Sequence, residues 1–284
     1  MRHPIRFAVN RICAAHMPFP AFAAMVRSLG VDTIELRNDL AGVESRDGTS
    51  PATIAGAARD HGLAIRSINA LQRFDQWDTG RASEAGALMR YAADCGAQAV
   101  VLCPTNSRHD GRSAEQRHDH LVSALSRLLP MLHDHGLAGL VEPLGFAECA
   151  LRSKSQALRA LQALGAPASL QLVHDTFHHH LAGDAALFAA HTGLVHVSGV
   201  DDPDVATAAM RDPHRVLVGP RDRLGSVGQL RALLDAGYRG VVSFEPFADT
   251  VTGADDIAQQ LARSIAYLSA AVAASTGADV NSVR

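Results

Sequence analysis

Four ionisable residues fall at the ends of short apolar runs: Glu142 in "LAGLVEP", Asp175 in "LQLVHDT", His196 in "LVHVS" and Glu245 in "VVSFEP". Three carboxylates and one imidazole gathered at one point repel one another unless a cation lies among them. With a divalent ion the same four become a ligand set. Oxygen-rich ligation with one nitrogen suits Mn²⁺, Mg²⁺, Co²⁺ or Zn²⁺ and does not select among them. Taken singly, each acid reads as well as a cap for a following helix or as the partner of an arginine. Recurrence at four consecutive strand ends is what points to one bound metal.

Further polar residues follow other strand-like runs. Glu35-Leu36-Arg37-Asn38, Asn69 and Cys103-Pro104-Thr105 each close one. At a shared mouth, Arg37 and Asn69 are candidate contacts for a polyhydroxylated substrate, although an ion pair between Glu35 and Arg37 at the rim reads equally well. His178 lies one turn beyond Asp175, within reach of a substrate there. His174 precedes Asp175, so strand alternation turns it toward the layer between sheet and helices. His179 and His180 read as peripheral. His109, His118, His120, His133, His135 and His191 read as solvent-facing.

The elements that must bring these residues together are legible from hydrophobic period. Strands are expected at Ile5–Val9, Thr33–Leu36, Ile65–Ile68, Ala99–Leu102, Gly139–Glu142, Leu170–His174, Leu194–Val197 and Gly240–Phe244. Several are continuously apolar, as parallel strands buried on both faces are. Helical patterns fill the intervals, at Phe22–Leu29, Ala52–His61, Ala82–Cys95, Gln116–His135, Ser155–Leu164, Val227–Ala236 and Asp255–Ala274. Gly30, Gly62, Gly96, Gly136, Gly165 and Gly237 stand where a helix stops before the next strand, the place for a residue with positive φ. The resulting phrases ("SLGVDTIEL", "DHGLAIRSI", "DCGAQAVVL", "DHGLAGLVE", "DAGYRGVVSFE") recur at roughly the length of one βα unit. Eight such units favour a closed (β/α)₈ barrel in one domain spanning residues 1–284, with a frayed tail after about Ser275. No G-x-G-x-x-G follows the first strand, which disfavours a dinucleotide-binding sheet. The long irregular stretch from Gly199 to Gly228 follows strand 7 on the face where barrel active sites lie, and reads as functional.

Bulk properties narrow the partner. The chain has 284 residues, 47% hydrophobic and 19% charged, with a formal net charge of −3. Without a Lys/Arg-rich block there is no electrostatic footprint for nucleic acid or an anionic membrane, so a small molecule is the expected partner. Cys13, Cys95, Cys103 and Cys149 form no C-x-x-C pair and suggest a reducing compartment. No signal-peptide pattern is read in Met1–Asn10, and no apolar run approaches the roughly 20 residues of a membrane span. A cytoplasmic protein is expected, and homo-oligomerisation is left open.

At this point the sequence resembles the xylose-isomerase-like TIM barrel superfamily of sugar isomerases and epimerases. Asp175-Thr176-Phe177-His178 resembles the D-[ST]-F-H motif of inosose isomerases and ketose 3-epimerases. "EPLGFAEC" is similar to the E-x-x-G stretch of inosose isomerases, with Glu148 where ketose epimerases place a substrate-contacting Glu. "VHVSGVDDPD", "TIELRND", "SINALQRF" and the segment from "RVLVGPRDRLG" to "VVSFEPF" extend the likeness over nearly the whole chain. Pro143-Leu144 after the Glu, and "GPRDRLG" in place of a G-x-G-x-[IL]-D phrase, depart from the inosose isomerase pattern. The resemblance implies that Glu142, Asp175, His196 and Glu245 hold the metal and that Glu142 and Glu245 double as acid and base. It also implies that His178, Glu148 and Arg221 contact substrate.

The implied chemistry is proton transfer beside a carbonyl through an enediolate. Isomerisation of an inosose-type polyol ketone, within inositol catabolism, is the expectation; ketose 3-epimerisation is the alternative. An endonuclease-IV-like enzyme needs more metal ligands at strands 2 to 4 and a basic groove. A non-catalytic sugar-binding barrel needs no second Glu opposite the first.

Overall fold

The computed structural model describes residues 4–274, so the expected fraying after Ser275 lies outside the described residues. Eight parallel strands close into a barrel in chain order: β1 (Arg6–Asn10), β2 (Thr33–Arg37), β3 (Ala64–Gln72), β4 (Ala99–Cys103), β5 (Ala138–Val141), β6 (Leu170–Asp175), β7 (Thr192–Val197) and β8 (Val241–Phe244). The β1–β8 ladder, with Ala8 opposite Ser243, completes the ring. This is a (β/α)₈ barrel.

Around it run α1 (Phe19–Ser28), α2 (Pro51–Asp60), α3 (Thr79–Cys95), α4 (Ala114–Asp134), α5 (Lys154–Ala163), α6 (Thr176–Ala182), α7 (Ser226–Asp235), α8 (Asp249–Thr252) and α9 (Ile257–Ala273). Gly96 ends α3 with φ of 75°, where its N–H reaches the carbonyl of Ala92. A side chain there strains the left-handed backbone, hence glycine. The five other helix-closing glycines named above adopt φ between 63° and 96°. None of the described helices is long and apolar enough to cross a membrane.

Two apolar layers hold the sheet. Ala8, Val101, Leu140, Val173, Leu194 and Val241 fill the inside of the barrel. Outside it, residues of the other parity such as Ile34, Leu172, Val195 and Phe244 pack against helical Phe22, Leu125 and Leu230. Each such fully buried side chain contributes about 1.5–3 kcal/mol. Because side chains alternate along a strand, every inward apolar residue has an inward neighbour two positions nearer the C-terminal end. Those neighbours form the mouth.

Among the features that hydrophobic period does not show, two lie at the mouth. Helix α6 was not expected, because "TFHHHLA" carries no apolar stripe; it is started by Asp175, whose Oδ1 accepts from the backbone N–H of Phe177 and His178. The stretch from 199 to 228 contains two short 3₁₀ turns, and Gly199 bridges Val216 antiparallel, folding the segment back across the mouth.

Candidate metal centre

Val173 and Asp175, and likewise Leu194 and His196, are inward pairs on β6 and β7, while Glu142 and Glu245 directly follow β5 and β8. The four reach the C-terminal mouth together, with potential ligand atoms all within 4.8 Å of one another. All four are buried, His196 completely. His196 Nδ1 lies 2.7 Å from Glu142 Oε1 and 3.3 Å from Glu245 Oε2. Its other nitrogen, Nε2, faces Glu35 Oε2 at 3.1 Å. For Asp175 the capping role and the cluster coexist: Oδ1 caps α6 while Oδ2 accepts from Arg215 at 2.6 Å.

Two guanidinium groups balance the acids. Arg215 donates through one nitrogen to Asp175 and, at 3.0 Å, to Glu245 Oε2. Arg37 donates to Glu245 Oε1 at 2.7 Å and grips Asp39 through its two remaining nitrogens. Both lie over the ring of Phe247. The rim pairing of Glu35 with Arg37 does not occur: Glu35 is one step deeper on the inward face of β2, where it accepts from Ser67, Asn69 and Asn10.

Burial and neighbours set the protonation of the metal-free cluster. Glu245 is raised to about 7, chiefly by burial and further by Glu142, against the pull of His196 and the arginines. Burial works to raise Glu35 and Asp175 as well, but His196 overrides it for the first and Arg215 for the second, leaving both at about 2. Burial opposes a charge on His196, yet Glu245, Glu35 and Glu142 hold its pKa well above the ordinary range. His196 is therefore an imidazolium wedged between carboxylates, a proton occupying the place of a cation. Acceptor-only oxygens and one imidazole nitrogen converging this closely suit a divalent metal, which the four residues would hold in exchange for that proton.

The mouth opens into a cavity of about 230 Å³ lined by Arg37, Asn69, Glu142, His178, Arg215 and Glu245, among others. Two larger surface clefts, of about 500 and 530 Å³, contain none of the four clustered residues. His178 is buried against Phe146 and Phe177, and its Nδ1 has no hydrogen-bond partner among the described residues.

Two residues expected at the mouth are placed elsewhere. Arg221, with a side chain 78% exposed, pairs with Asp201 at 2.7 Å and does not line the cavity. The antiparallel fold-back at Val216 carries Arg215 over the acids in its stead. Glu148 turns toward Arg108 at 3.9 Å, and Phe146 from the same loop lines the cavity. His174 does point outward: Lys154 Nζ donates to its Nδ1 at 2.5 Å, and its Nε2–H donates to Gln229 Oε1 at 2.8 Å. Arg215 escaped the sequence reading because it belongs to no periodic element. Glu35 is visible at its strand end, and of its two readings the ion pair with Arg37 is the one that does not form.

A closed parallel barrel with a buried acidic cluster at its C-terminal mouth defines the class. Residues 23–270 match the xylose isomerase-like TIM barrel family, and the chain belongs to it. A xylose isomerase domain containing protein from Salmonella typhimurium LT2 is 32% identical, with a TM-score of 0.86 over 94% of this chain and 98% of that one. An IolI protein with a binding zinc atom shares the fold at 19% identity and TM-score 0.78, covering 94% of this chain and 98% of its own. D-psicose 3-epimerase with D-tagatose, from Clostridium cellulolyticum H10, does so at 15% identity and TM-score 0.73, covering 94% and 99%. No curated protein sequence matches the chain.

Proposed function

We propose that this protein is a divalent-metal-dependent isomerase acting on a polyol ketone of the inosose type. The observation that carries the reading is the placement of Glu142 and Glu245 on one ring nitrogen of His196, at 2.7 and 3.3 Å. Two carboxylates thus flank one point beside an open cavity. Glu142, Asp175, His196 and Glu245 would hold the metal, which would supply there the chemistry of a Lewis acid, acidifying the C–H beside a carbonyl.

One of the two glutamates takes the proton from the carbon next to the carbonyl, and the same or the opposite glutamate returns a proton to the neighbouring carbon. The hydroxyl proton moves to the former carbonyl oxygen, so the products differ only in which carbon is the ketone. His178 and the Asn69 amide, both lining the cavity, meet substrate oxygens. Arg215, in the role expected of Arg221, and Arg37 steady the negative charge of the enediolate. Phe247, Phe146 and Leu144 keep water from the intermediate.

Ketose 3-epimerisation is the second reading, favoured by the likeness in fold to D-psicose 3-epimerase over 94% of the chain. There the proton returns to the opposite face of the same carbon, a task for which glutamates on two sides are equally suited. Incubating Mn²⁺-loaded protein with a panel of inososes and ketoses in D₂O, followed by NMR, separates the readings. A new ketone position marks isomerisation, and inverted configuration at one carbon marks epimerisation. Chelation should abolish either. Stoichiometric Mn²⁺ binding without deuterium entering any substrate of the panel would reject both.

A further inference from the structure

Glu35 is absent from the ligand cluster, yet it is the fully buried carboxylate that meets the far side of His196. One of its oxygens, Oε2, collects the Ser67 hydroxyl at 2.5 Å, the Asn69 amide at 2.9 Å and His196 Nε2 at 3.1 Å. Its other oxygen faces Asn10 Nδ2 at 3.4 Å, and Asn10 in turn donates to Glu245 Oε1 at 3.3 Å. All of these neighbours present N–H or O–H groups. An acceptor-only side chain is what the position requires, and of its oxygens the busier is aimed at the imidazole.

Building on the metal-dependent reading above, we propose that Glu35 is the positioning residue for His196: it accepts the Nε2–H, fixes the tautomer and so presents Nδ1 as the metal-binding nitrogen. A neutral imidazole carries one N–H, and the ring of His196 has carboxylates on both nitrogens. Once Nδ1 gives its lone pair to a metal, the remaining N–H must reside on Nε2, and the only oxygen facing it among the described contacts is Glu35 Oε2. The negative charge behind the ring also makes the imidazole a stronger donor toward a cation. Ser67 and Asn69 also donate to that oxygen, and the carboxylate keeps its contact with His196 when either donor alone is removed.

The bland reading is that Glu35 only satisfies buried donors. Two variants separate the readings. Glu35→Gln retains an oxygen of the same reach but loses the charge. Ser67→Ala removes a different donor to the same carboxylate and leaves the contact with His196 intact. Calorimetric titration with Mn²⁺ should show Glu35→Gln binding about 10–100-fold more weakly than the parent, and Ser67→Ala within about threefold of it at a comparable loss of Tm. Equal affinities for Glu35→Gln and the parent overturn the proposal. Should Glu35→Gln fail to fold, the parent protein loaded with Co²⁺ decides the matter. A single paramagnetically shifted, slowly exchanging imidazole N–H assigned to His196 Nε2 supports the role, and coordination through Nε2 overturns it. A parent protein that binds neither Mn²⁺ nor Co²⁺ rejects the metal-dependent reading itself, and this proposal with it.

Discussion

Arg215 donates through a single guanidinium nitrogen to Asp175 at 2.6 Å, and through that same nitrogen to Glu245 at 3.0 Å. One arginine from an irregular segment thus ties the ends of β6 and β8 together over the mouth. In the absence of a metal it supplies, with Arg37 and the protonated His196, the positive charge that lets four carboxylates share a dry site.

Replacing Arg215 with Met should therefore leave Asp175 and Glu245 without their shared cation. Removing one partner of a buried pair costs about 3–5 kcal/mol, so Tm in EDTA should fall by many degrees. A divalent ion supplies the missing charge, and Mn²⁺ should raise Tm more in Arg215→Met than in the parent. Thermal unfolding with and without Mn²⁺ measures this, and equal metal-induced shifts in the two proteins contradict it.

Metal affinity should rise steeply with pH. Glu245 holds a proton up to about 7 and His196 well beyond that range, so below pH 7 a binding metal must displace both. The slope of log affinity against pH should approach two below pH 7 and fall toward one above it. Calorimetry in buffers of different ionisation enthalpy counts the protons released. For the metal-free fold, the raised Glu245 contributes stability that is fully present below its ordinary 4.5 and lost as pH rises through about 7. Glu35 and Asp175, both depressed to about 2, act in the opposite sense; their contributions are present above the ordinary carboxylate range and disappear as pH falls toward 2. Urea unfolding in EDTA from pH 3 to 8 should accordingly show a maximum between these windows.

Glu142→Gln and Glu245→Gln test the acid/base assignment. Each should lower deuterium exchange by about 10²–10⁴-fold at saturating Mn²⁺, the ordinary scale of a lost general base. Undiminished turnover in Glu245→Gln with metal retained removes that residue from proton transfer and leaves it a ligand alone.

Gly145, in the "EPLG" phrase, approaches α6 so closely that an added Cβ meets the backbone oxygen of His178 at 2.1 Å. Gly145→Ala should push the β5–α5 loop from α6 and destabilise the fold by about 1–3 kcal/mol. Because the displaced backbone belongs to His178, KM should rise more than kcat falls. A change in Tm without a change in KM would place the glycine in packing only.

The sequence alone determined the barrel, its strand order and the four clustered residues. Six of the eight strands are short apolar runs that follow a glycine-terminated helix, and a polar residue on the inward face at the end of such a run opens onto the mouth. These signals are local, carried by period, cap and strand end. Helix α6 lacked them because it begins from a single side chain, Asp175, rather than from an apolar stripe. The partners of the cluster were decided only in three dimensions. Arg215 is brought over the acids, in preference to Arg221, by one antiparallel bridge between Gly199 and Val216, a long-range pairing that no spacing encodes. Glu35 meets His196 rather than Arg37 because closing the barrel sets the depths of β2 and β7 against each other. Which residues face the mouth is a property of each strand; which of them touch is a property of the closed ring.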